Sequence, residues 1–443
     1  MTVPDVFERL WSDCDGVFSD DVTVTPVDPY YEIRWPDGSH FKIRNSENDM
    51  LAEVARMFPK DMAGYHKFLA DCEKRYTFGF EGLGRKPMNK LMDLIKELPG
   101  FVRLRADKSV YAHAAARVKD PKFRMALSFH PLFIGGDPRN VTSMYILVSH
   151  LEKAFGVHYV QGGVQALANA MGDFIRRQGG RITLGATVDE ITLSGQTATG
   201  VTLDSGQHLD ADLIVSNADP GWTYDHLLRK AAKKRWSTPR LNRARWSMGL
   251  FVWYFGTKGT STDWGDVGHH TIINGPRYRG LLKDIFNKGI LADDMSLYLH
   301  RPSVSDPSVA PDGDDCFYAL SPVPNLKSDN PVDWAQETAA YKDKMRKVLE
   351  GIIPGFSDKV VSEYVLTPQD FKSRYLSPHG AGFSLEPRIF QSAWFRPHNI
   401  SEDFKNLYLV GAGTHPGAGI PSVVTSSEVL SQLVPDFVKG AGE

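Results

Sequence analysis

Cysteine is scarce. The chain has three in 443 residues, Cys14, Cys72 and Cys316, with no CxxC spacing. Three scattered thiols exclude a disulfide framework and a cysteine-rich zinc site, and they fit a reducing compartment. An excess of charge of one sign is also missing. Lys and Arg number 51 against 53 Asp and Glu, a formal net charge of −2, so nothing in the balance draws the chain to nucleic acid. Long apolar runs are absent too: the longest strongly apolar stretch, Met248 to Phe255, is far short of the roughly 18–20 residues that span a bilayer. The opening Met1-Thr-Val-Pro-Asp-Val-Phe-Glu-Arg-Leu-Trp11 has no basic segment leading into an apolar one, and so no readable secretory signal. There are 14 histidines but no HExxH, and His269 and His270 are adjacent rather than at ligand spacing. Metal catalysis finds no support in that pattern.

What is present is a globular composition, 42% apolar and 23% charged. Its length suits about two or three domains. A hairpin comes first: Tyr31, Ile33 and Trp35 alternate with polar residues, Pro36-Asp37-Gly38 turns, and Phe41 and Ile43 resume the alternation. Ser46-Glu-Asn-Asp49 resembles a capping box. Helix-period segments follow from Leu51 to about Glu97, with Pro59, Pro87 and Pro99 as interruptions. Gly162-Gly163 then open an amphipathic helix. Its apolar face carries Val164, Leu167, Ala168, Met171, Phe174 and Ile175, and Gly179-Gly180 stop it. Short strands are expected at Ile182–Leu184, Val188–Leu193, Thr197–Leu203 and Leu213–Ser216. Residues 221–394 mix strand-like runs with a helix near Trp334–Leu349, a second α/β unit.

The segment Asn406-Leu-Tyr-Leu-Val-Gly-Ala-Gly-Thr-His-Pro-Gly-Ala-Gly-Ile-Pro-Ser-Val-Val424 carries the most chemical information. It reads as a strand, a glycine turn and a helix with Pro421 at its start. That arrangement aims unpaired N–H groups and a positive dipole end at an anion. The spacing Gly411-x-Gly413-x-x-x-Gly417 is not the dinucleotide fingerprint. On these residues alone the turn either faces a ligand or only packs closely.

The same segment resembles the C-terminal signature of bacterial-type phytoene desaturases, carotenoid enzymes related to the flavin amine oxidases. Further blocks carry the likeness: Ser128-Phe-His-Pro-Leu-Phe-Ile-Gly-Gly136, Val215-Ser-Asn-Ala-Asp219, His269-His-Thr271, Gly275-Pro-Arg-Tyr-Arg279, Ser296-Leu-Tyr-Leu-His300, Ser384-Leu-Glu-Pro387 and Gln391-Ser-Ala-Trp-Phe-Arg-Pro-His-Asn399. The likeness runs from about residue 21 to 435. Family members open with a strand, a GxGxxG turn and a helix for the FAD pyrophosphate. This chain starts inside that pattern, with about 60 residues of the unit absent. A late start, a fragment and a genuine truncation all remain open at this point. Ser422 stands where the family usually has glycine.

The resemblance implies a mixed α/β fold of flavin-oxidase architecture. Residues 1–45, 150–220 and 395–443 would form a discontinuous, incomplete Rossmann-like FAD domain. Residues 46–149 would form a helical, membrane-facing region and 221–394 a substrate domain. FAD is the implied cofactor. Val188 would meet its adenine side, Gly411, Ala412 and Gly413 its ribityl and phosphate region, and Ile420, Pro421, Ser422 and Val423 its pyrimidine edge. Asp93 falls where relatives carry an acidic residue and is the candidate acid–base group; His415 and Arg396 also lie in family blocks. No metal ligand is implied.

The implied reaction is desaturation of a polyene such as phytoene by hydride loss to flavin. A C30 or hydroxylated carotenoid, or a non-catalytic lipid-binding remnant, are the other readings. A bilayer-resident substrate implies a cytoplasmic protein peripheral to the membrane. The stretch Lys86–Arg105, apolar with interspersed Lys and Arg, resembles an interfacial anchor.

Overall fold

The computed structural model describes residues 1–328 and 331–434; residues 435–443 of the expected cofactor segment lie outside it. Helix α1 (Asp5–Ser12) leads into a hairpin of β1 (Tyr31–Arg34) and β2 (His40–Ile43). Gly38, at φ +80°, makes the turn, and its N–H donates to the Trp35 carbonyl at 3.0 Å. Alternation sends Ile33 and Phe41 into the core. Helix α2 (Glu47–Met57) is capped as expected, with Ser46 Oγ accepting from the Asp49 N–H at 3.4 Å. Helices α3 (Met62–Arg75) and α4 (Leu91–Arg103) complete this block.

Pro99 does not interrupt the helix as expected. It sits inside α4. A proline forgoes only the bond to the carbonyl four residues back. That carbonyl belongs to Ile95, a residue 46% exposed on the solvent side of the helix, where water can replace a lost backbone bond.

Helix α5 (Leu147–Phe155) and helix α6 (Gly163–Arg177) follow. Only part of the expected α6 face is covered: Leu167 and Phe174 are buried, whereas Val164 is 64% and Ile175 46% exposed. Ile182–Leu184 forms no strand, against expectation. Among the described residues no neighbour pairs with it, and an extended segment becomes a strand only through a ladder. Strands β3 (Val188–Ser194), β4 (Thr197–Leu203) and β5 (His208–Asp210) make an antiparallel meander, followed by β6 (Ile214–Ser216).

The largest sheet has seven strands. Its later members are β7 (Gly249–Thr257), β8 (His270–Ile273), β9 (Leu297–His300) and β10 (Asp315–Val323), with helix α7 (Trp334–Glu350) preceding β11 (Val360–Leu366). The order is β11-β7-β10-β9-β8-β1-β2. All pairs are antiparallel except β8 with β1, where Thr271 is level with Glu32. The N-terminal hairpin, expected with the cofactor part as 1–45, is thus hydrogen-bonded into the sheet of residues 221–394. Alternation gives this sheet two working faces. Phe317 and Ala319 of β10 lie in the core with Met345 and Leu349 of α7, and Tyr318 and Leu320 on the other face line a cavity. Last come β12 (Leu407–Leu409), wholly buried and parallel to β6, and helix α8 (Ile420–Ser431).

Candidate functional site

Strand β12 delivers the chain to Gly411, and a glycine-rich loop carries it back to α8. Gly411 adopts φ +104°, and its N–H donates to Ser426 Oγ of α8 at 2.9 Å. A Cβ on Gly411 would meet Asn217, and one on Gly413 would collide with the Pro220 ring. The protein's own packing therefore already requires both glycines. Ala412 and Thr414 are held by Arg396, which is 1% exposed. Its guanidinium donates to the carbonyls of Ala412 (2.7 Å), Thr414 (3.1 Å), Gln391 (3.2 Å) and Leu385 (3.3 Å). Burial lowers its pKa, with Tyr145 and Asp219 acting the other way.

Gly419, also at φ +104°, starts α8. No side chain caps this helix, and Pro421 has no N–H. The amides of Ile420 and Ser422 are thus left without a capping acceptor at the positive end of the helix. Gly419, Ile420, Pro421 and Ser422 line the inner end of a cavity of about 600 Å³. Val423 is not among the lining residues; its N–H donates to the Gly419 carbonyl at 2.9 Å.

From there the cavity runs between the large sheet and the helical block. Leu250, Tyr318 and Leu320 form one wall, and Leu94, Leu98 and Phe101 of α4 form the other. It opens beside Ile389 and Phe390, and Phe390 is 73% exposed. Leu91, Met92, Ile95 and Val102 of α4 are exposed there too, Val102 by 70%.

A few polar groups break the apolar lining. His415 Nε2 bonds the carbonyls of Leu83 (3.0 Å) and Lys86 (3.1 Å), so it carries the proton. Its Nδ1 is then a bare acceptor, buried and unpartnered among the described residues. Burial lowers the His415 pKa to about 4, which keeps it neutral. Farther along, His130 Nε2 lies 3.0 Å from Glu152 Oε2, and Glu152 Oε1 is buried without a partner among the described residues. Burial, reinforced by the Glu152 charge, pushes the Tyr31 phenol well up.

Three imidazoles meet beyond Tyr318. His270 is level with His300 across β8 and β9, and the nitrogens of His269, His270 and His300 lie within 4.8 Å of one another. Sequence spacing missed this grouping because the third histidine comes from a neighbouring strand. Each ring is engaged: His269 Nδ1 with Ser305 Oγ (2.6 Å), His269 Nε2 with His300 Nε2 (2.9 Å), and His270 Nδ1 with the Tyr298 hydroxyl (2.5 Å). Burial lowers His269 to about 4 and His300 to about 3.

The expected site residues divide. Gly411, Ala412, Gly413, Ile420, Pro421, Ser422 and Val423 come together at the loop and the start of α8. Val188, first residue of β3, packs on the core that holds Leu407 and Leu409 of β12. Asp93 stands apart: its carboxylate accepts the Lys90 N–H at 2.9 Å, capping α4, and it is not among the residues that line the cavity. Glu152 and His130 were missed. The only sequence signal for Glu152 is a carboxylate placed directly after Leu151, an interior position of α5.

The residues fit a flavin. An uncapped helix N-terminus ends on an apolar cavity, and a buried acceptor beside it lacks a partner. The family model for flavin containing amine oxidoreductases matches residues 18–434.

The chain belongs to the flavin-containing amine oxidoreductases.

Within this family the oxidoreductase is 62% identical over 443 residues to the neurosporene-forming phytoene desaturase of Cereibacter sphaeroides, covering 100% of this chain and 86% of that one. It is 58% identical over 441 residues to the neurosporene-forming phytoene desaturase of Rhodobacter capsulatus, covering 99% of this chain and 84% of that one. These identities place it on the phytoene desaturase branch. The fold is similar to a crystal structure of an oxidoreductase from Methanosarcina mazei, with TM-score 0.60, 15% identity and coverage of 97% and 85%. The enzyme is an FAD-dependent oxidoreductase with a mixed α/β fold.

Proposed function

We propose that this oxidoreductase desaturates phytoene to neurosporene, on substrate drawn from a membrane surface. The observation that carries the reading is the cavity of about 600 Å³, apolar through most of its length, that joins the α8 N-terminus to an exposed apolar mouth. A hydrocarbon offers no group to ionise, so the protein's contribution is placement, exclusion of water and electrostatics. When bound, FAD supplies the acceptor for a hydride from an allylic carbon. The free amides of Ile420 and Ser422 favour negative charge at the inner end of the cavity. Gly411, Ala412, Gly413 and Val188 are assigned to cofactor contact, and Arg396 holds their loop.

Loss of hydride makes the neighbouring C–H strongly acidic, so a weak base suffices for the proton. His415 Nδ1 is assigned that task, as a neutral acceptor on the cavity wall; Asp93, the acid–base candidate of the sequence, keeps its capping bond. Leu94 and Leu98 of α4 with Ile389 and Phe390 form the mouth, and their exposed neighbours are assigned to peripheral contact with lipid. No helix among the described residues is long and apolar enough to cross a membrane.

The test is phytoene in phosphatidylcholine liposomes with added FAD, followed by chromatography of the pigments. Neurosporene is the expected product. Retained flavin with unconsumed phytoene would sink the reading, and preferential turnover of a C30 or hydroxylated polyene would move it to that substrate.

A further inference from the structure

The C-terminal ends of α3 and α4 enclose a second concavity, of about 640 Å³. Its walls carry Lys74 and Arg75 from the last turn of α3, Arg103 from the last turn of α4, and Arg105, Lys108 and Arg117 from the segments that follow. The carboxylates here are already taken. Asp71 is held by Arg117 (2.6 Å) and His113 (3.0 Å), and Asp107 by Arg105 (2.9 Å) and Lys108 (3.9 Å). Six cations face two carboxylates. His113 adds no charge, because burial holds its pKa at about 4.

Lys74 and Arg103 have no ion-pair partner among the described residues. Arg75 is only 3% exposed. It donates to the Asp71 carbonyl at 3.0 Å and to the Leu104 carbonyl, yet its Nε is buried without a partner among the described residues. Favourable helix-end electrostatics account for Lys74 and Arg103 taken singly. They do not account for a buried guanidinium with a bare N–H, or for an excess of four positive charges around one hollow. Such an arrangement fits a phosphate, with several donors converging on one dianion or monoanion.

We propose that this pocket binds the phosphate of an anionic phospholipid headgroup. The lipid source follows from continuity along α4, where exposed Val102 directly precedes Arg103. The apolar face of the helix would lie among acyl chains while the pocket grips the headgroup at their edge. This inference rests on the membrane-contact reading above and deepens it.

Flotation of the full chain with vesicles tests it. Adding phosphatidylglycerol to phosphatidylcholine vesicles is expected to raise affinity about twenty-fold at low salt. The exposed pair K74Q/R103Q should abolish most of that rise and leave phosphatidylcholine binding unchanged. The control pair K258Q/K347Q, equal in charge lost, should keep the rise. An equal loss in both pairs would reduce the effect to net charge and overturn the pocket. Phosphatidylcholine binding without any rise would overturn the pocket alone; no binding to either vesicle would overturn the membrane reading with it. Inorganic phosphate that raises the melting temperature of the wild type but not of K74Q/R103Q, with no response to phosphatidylglycerol, would reassign the site to free phosphate.

Discussion

The two ends of the cavity are built on opposite principles. At the inner end a buried arginine ties four carbonyls together, and a glycine loop is packed against Pro220 and Asn217. At the outer end, Leu91, Met92, Ile95 and Val102 of α4 stand largely uncovered. The inner end fixes geometry through polar bonds in a medium where an unmade bond is expensive. The outer end is defined by what it leaves unpaired. A soluble monomer seldom exposes so many large apolar side chains on one helix. The contrast teaches that position and access are separate tasks here, and that they should respond separately to mutation.

The sharpest way to break the contrast is at Arg396. Arg396→Met leaves four carbonyls, two of them in buried bonds, without their donor, and about 4 kcal/mol of stability is expected to go with it. Chemical denaturation reads that loss, and the flavin absorbance left after gel filtration should fall with it. Arg396→Lys, which keeps the charge but not the fork, should restore only part of either. Unchanged unfolding and full flavin retention in both variants would show that Arg396 does not set the inner end.

At the mouth the expected pattern is reversed. M92S/I95S should change stability by no more than about 0.5 kcal/mol, because both side chains are already exposed. Turnover of phytoene supplied in liposomes is expected to drop about ten-fold through weaker interfacial binding. A large drop in stability would instead mean that α4 packs on protein at these positions.

Acid provides the smallest effect and the finest comparison. His415, with its pKa lowered to about 4, and His269, also lowered to about 4, are neutral in the fold and titrate near 6.5 when unfolded. The unfolded chain thus binds more protons between these values. Their contribution is complete well above pH 6.5 and is lost progressively as the pH falls toward 4, by about 0.8 kcal/mol each at about pH 6. His415→Gln should flatten this acid limb by one histidine's share. M92S/I95S should leave its slope as in the wild type. Denaturant titrations across that pH range separate the two.

Much of this was legible along the chain. The β1–β2 hairpin, α6, the meander and the strand–loop–helix around Gly411 all follow from local signals: alternation, a 3.6-residue period, and turn glycines. Those signals are short-range sterics and solvation, and neighbours in sequence are enough to carry them. The family likeness then named candidate cofactor residues as a group, and all of that group but Val188 come together at the glycine loop and the start of α8.

Where the reading departed from the structure, the deciding factor was the surroundings that folding supplies. Pro99 is tolerated because Ile95 faces water. Ile182–Leu184 forms no strand because no described strand pairs with it. The hairpin joins the large sheet because β8 offers its free edge to β1.

Composition and local pattern thus determined, by themselves, most of the helices and strands and the strand–loop–helix around Gly411. Tertiary structure alone decided that His300 meets His269 and His270, that Glu152 reaches His130, that Arg396 has four carbonyls to hold, and that six cations share one hollow beside α4. The physical reason is one of range. Propensity acts over a few residues, whereas burial, desolvation and hydrogen-bond satisfaction depend on groups that folding brings together from far along the chain.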